Sequence, residues 1–508
     1  MDSELTSSII LFSSLIFLAL LWNVITRSKG ARNSSINLPP GPRKLPVIGN
    51  LHLLISSRPP HHILADLAKK YGPLMHLQLG EISTVVISSP ETAKAVMKTH
   101  DINFANRPSL FATKIITYEN SDVAFSPYGE YWRQLRKVCT IELLSAKRVQ
   151  SFRPLREQVL FDMCKWIASK EGSSINLTEK VSLATCDMVL RAALGNTIDE
   201  HEAMAFAAKE VLELLGGYYV GDLFPSISLL QAIGGFRGRV KNVHKLSDTI
   251  LQKIINSRKV AKPQGEQEEN LVDILLKFHK DTGHEHQFSD KNIKAVLQDM
   301  FMAGIETSST ATDWAMAELM RHPRVLKKAQ DELRWVFRDK GFVDESDFDE
   351  LKYLKLVVKE IFRMHPPGPL LLPRENKESC KINGYTIPGK CNVVVNAWAI
   401  GRDPKIWKDA DSFIPERFLD NNISVDYTGK SFEFLPFGSG RRSCAGMTFG
   451  LTNVEVPLAV LLYHFDWVLP EGMKPEDVDM AERFGVAAGR KKPLFVIPKL
   501  RNPLPSSK

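Results

Sequence analysis

The residues best suited to chemistry lie near the C-terminal end, where the chain reads Phe437-Gly-Ser-Gly440-Arg-Arg442-Ser-Cys444-Ala-Gly446. Glycines ahead of a cysteine let the backbone turn tightly, exposing the sulfur and aiming amide N–H groups at it. The apolar run Met447–Leu462 that follows reads as a helix. The sulfur then sits near a helix N-terminus, where partial positive charge favours thiolate over thiol. The six cysteines (139, 164, 186, 380, 391, 444) show no CxxC and no regular spacing, which excludes a disulfide framework and a zinc finger. Taken alone, any one of them would be an inert core residue; the glycine-rich setting singles out Cys444.

A second candidate is Ala303-Gly304-Ile305-Glu306-Thr307-Ser308. It falls in the middle of a helix predicted to start at Ser289-Asp290 and to stop at His322-Pro323, roughly thirty residues or ~45 Å long. Such a helix crosses the whole globule. Glycine there costs about 1 kcal/mol relative to alanine, so close approach must be gained, either by a packed helix crossing or by a ligand. Glu360 and Arg363 share a helix face at i, i+3, and Pro366-Pro367 end that helix. A buried acid of this kind needs its cations close by, and Arg417 in Pro415-Glu416-Arg417-Phe418 is a further one.

These residues must be positioned by a largely helical body. Long amphipathic patterns dominate, and β-branched stretches punctuated by Gly and Pro at 74–89 and 382–398 read as hairpins. Residues 258–290 read as a polar loop between helices. The fold class is therefore mainly α with small β-sheets. With 44% hydrophobic and 24% charged residues, disorder is excluded; the net charge of +8 is spread along the chain, and no nucleic-acid partner is implied.

Residues 5–25 carry no formal charge over twenty-one positions, enough for a helix to cross a ~30 Å hydrocarbon core. No base precedes them, so residues 1–25 read as a retained transmembrane signal anchor. Arg27, Lys29, Arg32, Arg43 and Lys44 follow without an acid, which places the body in the cytosol and leaves the sequons at Asn33, Asn176 and Asn422 unused. Residues 26–45, with Pro39-Pro40-Gly41-Pro42, form a stiff basic hinge, and 46–508 form the catalytic domain.

The pattern F-x-x-G-x-R-x-C-x-G, complete at all five fixed positions of 437–446, resembles the signature of the cytochrome P-450 superfamily of haem-thiolate monooxygenases. The resemblance extends over essentially the whole chain and implies the superfamily's triangular, haem-enclosing fold. It implies haem b with Cys444 as axial ligand of the iron, where a thiolate favours O–O cleavage. Arg442, Trp132, Arg136 and Arg374 are then propionate partners, with Phe437 and Gly438 beside the thiolate. Glu360, Arg363 and Arg417 become a structural cluster.

The central segment is similar to the superfamily's A-G-x-[D/E]-T, with a kink at Gly304 making room for dioxygen, Thr307 passing protons and Glu306 feeding it. Phe111, Ile115, Ile116, Ala303, Leu370, Leu371, Phe484, Val486 and Ala487 lie in segments that resemble substrate-contact regions. The hinge, the anchor and Phe434-Leu-Pro-Phe437 most resemble the plant microsomal branch, especially oxidases of terpenoids and terpenoid-derived alkaloids.

The resemblance implies an endoplasmic reticulum enzyme that takes NADPH-derived electrons from a separate flavin reductase and inserts one atom of O2 into an apolar substrate. Arg133, Lys137, Lys147, Arg148 and Arg441 form the expected docking face on the cysteine side. A haem-thiolate isomerase or dehydratase without a reductase, and a non-catalytic membrane haem sensor, are the alternatives.

Overall fold

The computed structural model describes residues 37–195, 201–216, 219–227, 230, 235–260, 270–280, 288–420, 425–483 and 485–505. The apolar stretch 5–25 lies outside them, as do Asn33 and Asn422. No helix among the described residues is long and apolar enough to cross a membrane.

The helix Asp290–Arg321 runs through the middle of the molecule, within a residue of its predicted ends. Its start is fixed by a capping box: the Ser289 hydroxyl accepts from the Asn292 amide, and the Asn292 side chain accepts from the Ser289 amide at 2.8 Å. Its end follows from Pro323, which cannot donate a helical hydrogen bond and begins the next helix, Pro323–Val336. This central helix packs between Leu177–Leu194 and Met447–His464. Val181, Met188, Trp314, Leu319, Leu458 and Leu462 share one buried cluster there. Burying each such side chain stabilises the fold by roughly 1.5–3 kcal/mol before entropy is counted.

The sheets are small and peripheral. The largest has the strand order Leu74–Leu79, Ile82–Ile87, Asn392–Val395, Arg374–Glu375. Its first pair is the antiparallel hairpin expected at 74–89, with Leu74 opposite Ile87.

The stretch 382–398, expected to form one hairpin, is divided between two sheets. Cys380–Ile382 turns through Asn383 and Gly384, both at positive φ, to pair with Tyr385–Ile387. Asn392–Val395 instead runs parallel to Ile82–Ile87, where Val393 and Val395 are buried. The fourth strand begins only at Arg374, after Leu371 at φ +50°.

The expected loop over 258–290 is also corrected, because Leu271–Lys280 is a helix within it. Leu271, Val272, Ile274, Leu275 and Leu276 are buried in a cluster with Leu190 and Ile293. Five apolar residues in six positions outweigh the polar average of the flanks. Asn176 caps the helix Leu177–Leu194 by accepting from the Glu179 amide.

A candidate haem-thiolate site

The cysteine loop is built by backbone geometry. Gly438 and Gly440 sit at φ +67° and +71°, and a Cβ on Gly440 would stand 2.2 Å from the Met97 carbonyl oxygen, so only glycine fits. The loop is tied down by the Cys444 amide donating to Phe437 O at 2.9 Å. The Ser439 hydroxyl donates to Gly429 O at 2.6 Å, and Arg441 donates to Asp101 through its amide (3.0 Å) and guanidinium (2.9 Å). Gly446 then caps Met447–His464, the helix expected there.

Cys444 is the only one of the six cysteines that is exposed, and it lines a cavity of about 310 Å³. Desolvation there pushes the thiol pKa up, while a hydrogen bond at Gly446 and the charge of Arg136 pull it down. The helix N-terminus therefore assists the thiolate without producing it unaided; a bound metal ion would supply the remainder, since a ligating thiol is deprotonated outright.

The same cavity wall carries Arg107, Trp132, Arg136, Arg374 and Arg442. Arg442 donates to Ala105 O at 2.7 Å, to Val123 O at 3.3 Å and to Ser126 O, and lies 4.3 Å over the Trp132 ring. The Trp132 indole donates to Val123 O at 3.0 Å. Arg136 donates to Ser443 O and Arg374 to Ser439 O, each at 2.7 Å. Arg107, which the sequence did not single out, donates to Ala124 O, Leu372 O and Pro373 O at 2.7–3.0 Å.

Burial, then the neighbouring Arg374, lowers the Arg442 pKa to about 9. Burial and the charges of Arg442 and Arg374 likewise press Arg107 downward. Cations crowded against a low-dielectric wall are paired with anions when the site is filled. The propionates of a porphyrin whose iron faces Cys444 meet that need, so the residues present fit haem.

Beyond the thiol, Ala303, Gly304, Thr307 and Ser308 of the central helix line the cavity. Helical structure continues through Gly304, where the sequence suggested a kink. A Cβ there would lie 3.3 Å from both Val189 methyls, so the glycine serves close helix packing. The Thr307 hydroxyl donates to Ala303 O, and the Glu306 carboxylate pairs with Arg483.

Of the nine expected substrate positions, Ala303, Leu371, Val486 and Ala487 line the cavity. Phe111 and Ile115 pack against a neighbouring apolar cluster that includes buried Ile116 and Met302, with the Phe111 ring 5.4 Å from Tyr219. Leu370 packs beside Met75 and Leu77, and Phe484 lies outside the described residues. Leu212, Leu215, Met300 and Met302 are among the further apolar residues of the lining that were not foreseen. Their helical spacing signalled burial, but nothing local distinguishes a cavity wall from ordinary core.

Surrounding contacts fix these walls. The Glu482 carboxylate accepts from His61 at 2.6 Å and His62 at 3.2 Å, and Ala488 donates to Pro367 O and accepts from the Trp314 indole. Both clamp the segment bearing Val486 and Ala487. Glu360 is fully buried, with two hydrogen bonds from Arg363 at 2.8 Å and one from Arg417 at 2.9 Å.

A family model described as Cytochrome P450 matches residues 39–496, and the chain belongs to that family of haem enzymes. It is a cytochrome P450 monooxygenase with haem as cofactor. Salviol synthase of Salvia pomifera is 50% identical over the full length of both chains. Premnaspirodiene oxygenase of Hyoscyamus muticus is 50% identical over 96% of this chain and 97% of its own. Desmethyl-deoxy-podophyllotoxin synthase of Sinopodophyllum hexandrum is also 50% identical, over 97% and 98%. Among solved structures, a zebra fish cytochrome P450 with progesterone superposes at a TM-score of 0.75, with 25% identity over 87% of this chain and 99% of that one.

Proposed function

We propose that this chain is a membrane-anchored monooxygenase that hydroxylates or oxidises an apolar plant metabolite, a terpenoid or terpenoid-derived alkaloid, with O2 and electrons passed from NADPH by a separate flavin reductase. The observation that carries this reading is one cavity lined both by Cys444 with Arg107, Arg136, Arg374 and Arg442 and by the apolar Leu212, Leu215, Met302, Ala303, Val486 and Ala487. The names of two full-length relatives, a salviol synthase and a premnaspirodiene oxygenase, support the substrate class. Residues 1–25 anchor it in the endoplasmic reticulum, 26–45 serve as hinge and 46–508 as cytosolic catalytic domain.

Haem, when bound, supplies the redox chemistry that activates dioxygen. The protein's part is to hold and orient. Cys444 would hold the haem iron through its sulfur. Arg442, Arg374 and Arg136 would bind the propionates by charge-assisted hydrogen bonds, joined by Arg107 and by the Trp132 indole on exchanging Val123 O for a propionate. Phe437 and Gly438 shape the loop beside the sulfur. The apolar lining excludes water and binds substrate by desolvation.

Thr307 Oγ1 donates to a carbonyl and keeps lone pairs free, so it can accept a proton from water and pass its own on. Glu306, partly buried and paired with Arg483, would feed that relay by first taking up a proton from solvent and then passing it on. On the cysteine side Arg133, Lys137 and Lys147 are exposed, giving an acidic reductase a basic landing face; Arg148 is half-buried, and Arg441 is exposed although hydrogen-bonded to Asp101.

The test is a panel of terpenoids, alkaloids and phenylpropanoids screened on microsomal protein for type I spectral shifts, followed by turnover with NADPH and reductase. A terpenoid that binds and is oxygenated only with both supports the proposal. Turnover without reductase would establish the isomerase reading instead.

A further inference from the structure

Two acids sit where the cofactor wall meets the central helix, and the roles given above use neither. Asp299 lies one turn before Ala303 and lines the cavity; Asp122 lies in the segment before the helix Glu130–Val138. Both are buried, Asp122 completely. One Asp299 carboxylate oxygen accepts from the Val123 amide at 2.8 Å and the Ala124 amide at 3.2 Å. Both oxygens of the Asp122 carboxylate accept from the Phe125 amide at 3.2 Å. The other Asp299 oxygen, Oδ1, is buried with no donor to satisfy it, and Asp122 is the residue next to the Val123 amide that Asp299 holds. A buried carboxyl oxygen with no donor is satisfied if it carries a proton and donates it to a neighbouring carboxylate.

The other side of the same short segment faces the cofactor end. Val123 O accepts from Trp132 and Arg442, Ala124 O from Arg107 and Ser126 O from Arg442. The segment is thus gripped through its amides by the acids and through its carbonyls by cofactor-facing donors.

We infer that Asp122 and Asp299 act as one unit, two carboxyls holding a single proton between them, and that this unit positions segment 122–126 and with it Trp132, Arg107 and Arg442. Asp299 carries the proton and donates it to Asp122, which stays anionic against the nearby cations. The arrangement explains why two buried acids can stand side by side: with both ionised, like charges would repel in a low dielectric. This inference rests on the haem-binding reading for its consequence, and on the segment's own hydrogen bonds for its geometry.

The groups facing the pair are Arg107 from the preceding loop, Arg442 from the cysteine loop, Tyr131 from the following helix, Cys139 just beyond it and Thr117. Arg374 and Arg136 stand behind Arg442. Burial raises Asp122 to about 6, and burial with the charge of Asp122 raises Asp299 well above the carboxylate range. An acid with a raised folded pKa keeps a proton that the unfolded chain has released. Its contribution is therefore whole below the ordinary carboxylate pKa and falls as pH rises toward the folded value, a factor of ten in the folding equilibrium per pH unit for one proton.

The discriminating variant is Asp299→Asn, whose amide N–H donates permanently to Asp122 while its oxygen still accepts from Val123 and Ala124. Haem content per polypeptide and resistance to urea are measured from pH 5 to 9 on native enzyme, Asp299→Asn and Asp299→Ala. The native enzyme should lose urea resistance relative to Asp299→Asn by up to tenfold in the equilibrium per pH unit across the window. Asp299→Ala should bind less haem at every pH, and asparagine should restore it.

Infrared spectra of the native protein at pH 7 should show a protonated carboxyl band that Asp299→Asn removes. Parallel pH profiles for native and asparagine proteins, or no such band, would overturn the shared proton. Equal haem content in the alanine variant would overturn the positioning role. Native protein that takes up no haem would refute the haem-binding reading instead, while the infrared band still decides the pair.

Discussion

Replacing Arg363 by methionine removes a guanidinium that is fully buried and makes five hydrogen bonds. Two go to Glu360 at 2.8 Å, and the others to Gly401 O at 2.6 Å, Ala410 O at 2.7 Å and Ser412 O at 3.2 Å. Methionine fills much of the volume but donates nothing. Glu360 keeps Arg417 and the Ile414 amide, both at 2.9 Å, and loses its bidentate partner. Breaking a buried pair from one side costs about 3–5 kcal/mol, and each carbonyl left without its donor about 1–3 kcal/mol.

These costs overlap, so at least about 4 kcal/mol is expected, or roughly a thousandfold in the folding equilibrium. That is a large share of a stability of about 5–15 kcal/mol. The control is Arg324→Met, which also removes an arginine–glutamate contact at 2.8 Å, but from a side chain 68% exposed. There the cost should stay under about 1 kcal/mol. Haem-thiolate content and urea unfolding of both variants provide the assay. If Arg363→Met retains the haem content and midpoint of Arg324→Met, the buried cluster does not hold the fold and the energetic reasoning fails.

Thr307→Ala should leave haem and substrate binding intact but divert electrons into peroxide, because the hydroxyl that moves protons is gone; NADPH use that stays coupled to product would contradict this. Reversing Lys137 and Arg148 to glutamate together should slow reductase-driven turnover at low salt, less so at high salt, and spare peroxide-driven turnover, since steering acts on association; unchanged low-salt rates would move the docking face elsewhere. Burial pushes Glu318 up, but hydrogen bonds from His322 and His365 hold it at about 2. A depressed acid stabilises the fold above its unfolded pKa and loses that contribution as pH falls through the folded value. Acid unfolding should therefore steepen between about pH 4.5 and 2, and Glu318→Gln should flatten it; matching profiles would count against the assignment.

The parts of the fold readable from sequence are those set by local chemistry. Ser289-Asp290 is a start signal and His322-Pro323 a stop signal that no tertiary contact overrides, so the central helix was placed almost to the residue. The glycines before Cys444 announced a tight loop for the same reason. What escaped depends on partners far along the chain. Asn392–Val395 joins Ile82–Ile87 three hundred residues away, which no pattern within 382–398 records. Arg107 reads as an ordinary surface cation until Ala124, Leu372 and Pro373 fold over it. Asp122 and Asp299, 177 residues apart, carry no local signal of their meeting, and the contacts of Phe111 with Tyr219 and Phe236 are likewise set by distant parts of the chain.

The central claim is that Cys444 is the axial thiolate of haem, and the reduced carbonyl complex tests it most directly. Native protein should show the thiolate-type Soret band, Cys139→Ser should keep it because Cys139 is buried in the core, and Cys444→His should abolish it. A thiolate-type band that survives in Cys444→His would show that another residue ligates the iron and would contradict the account.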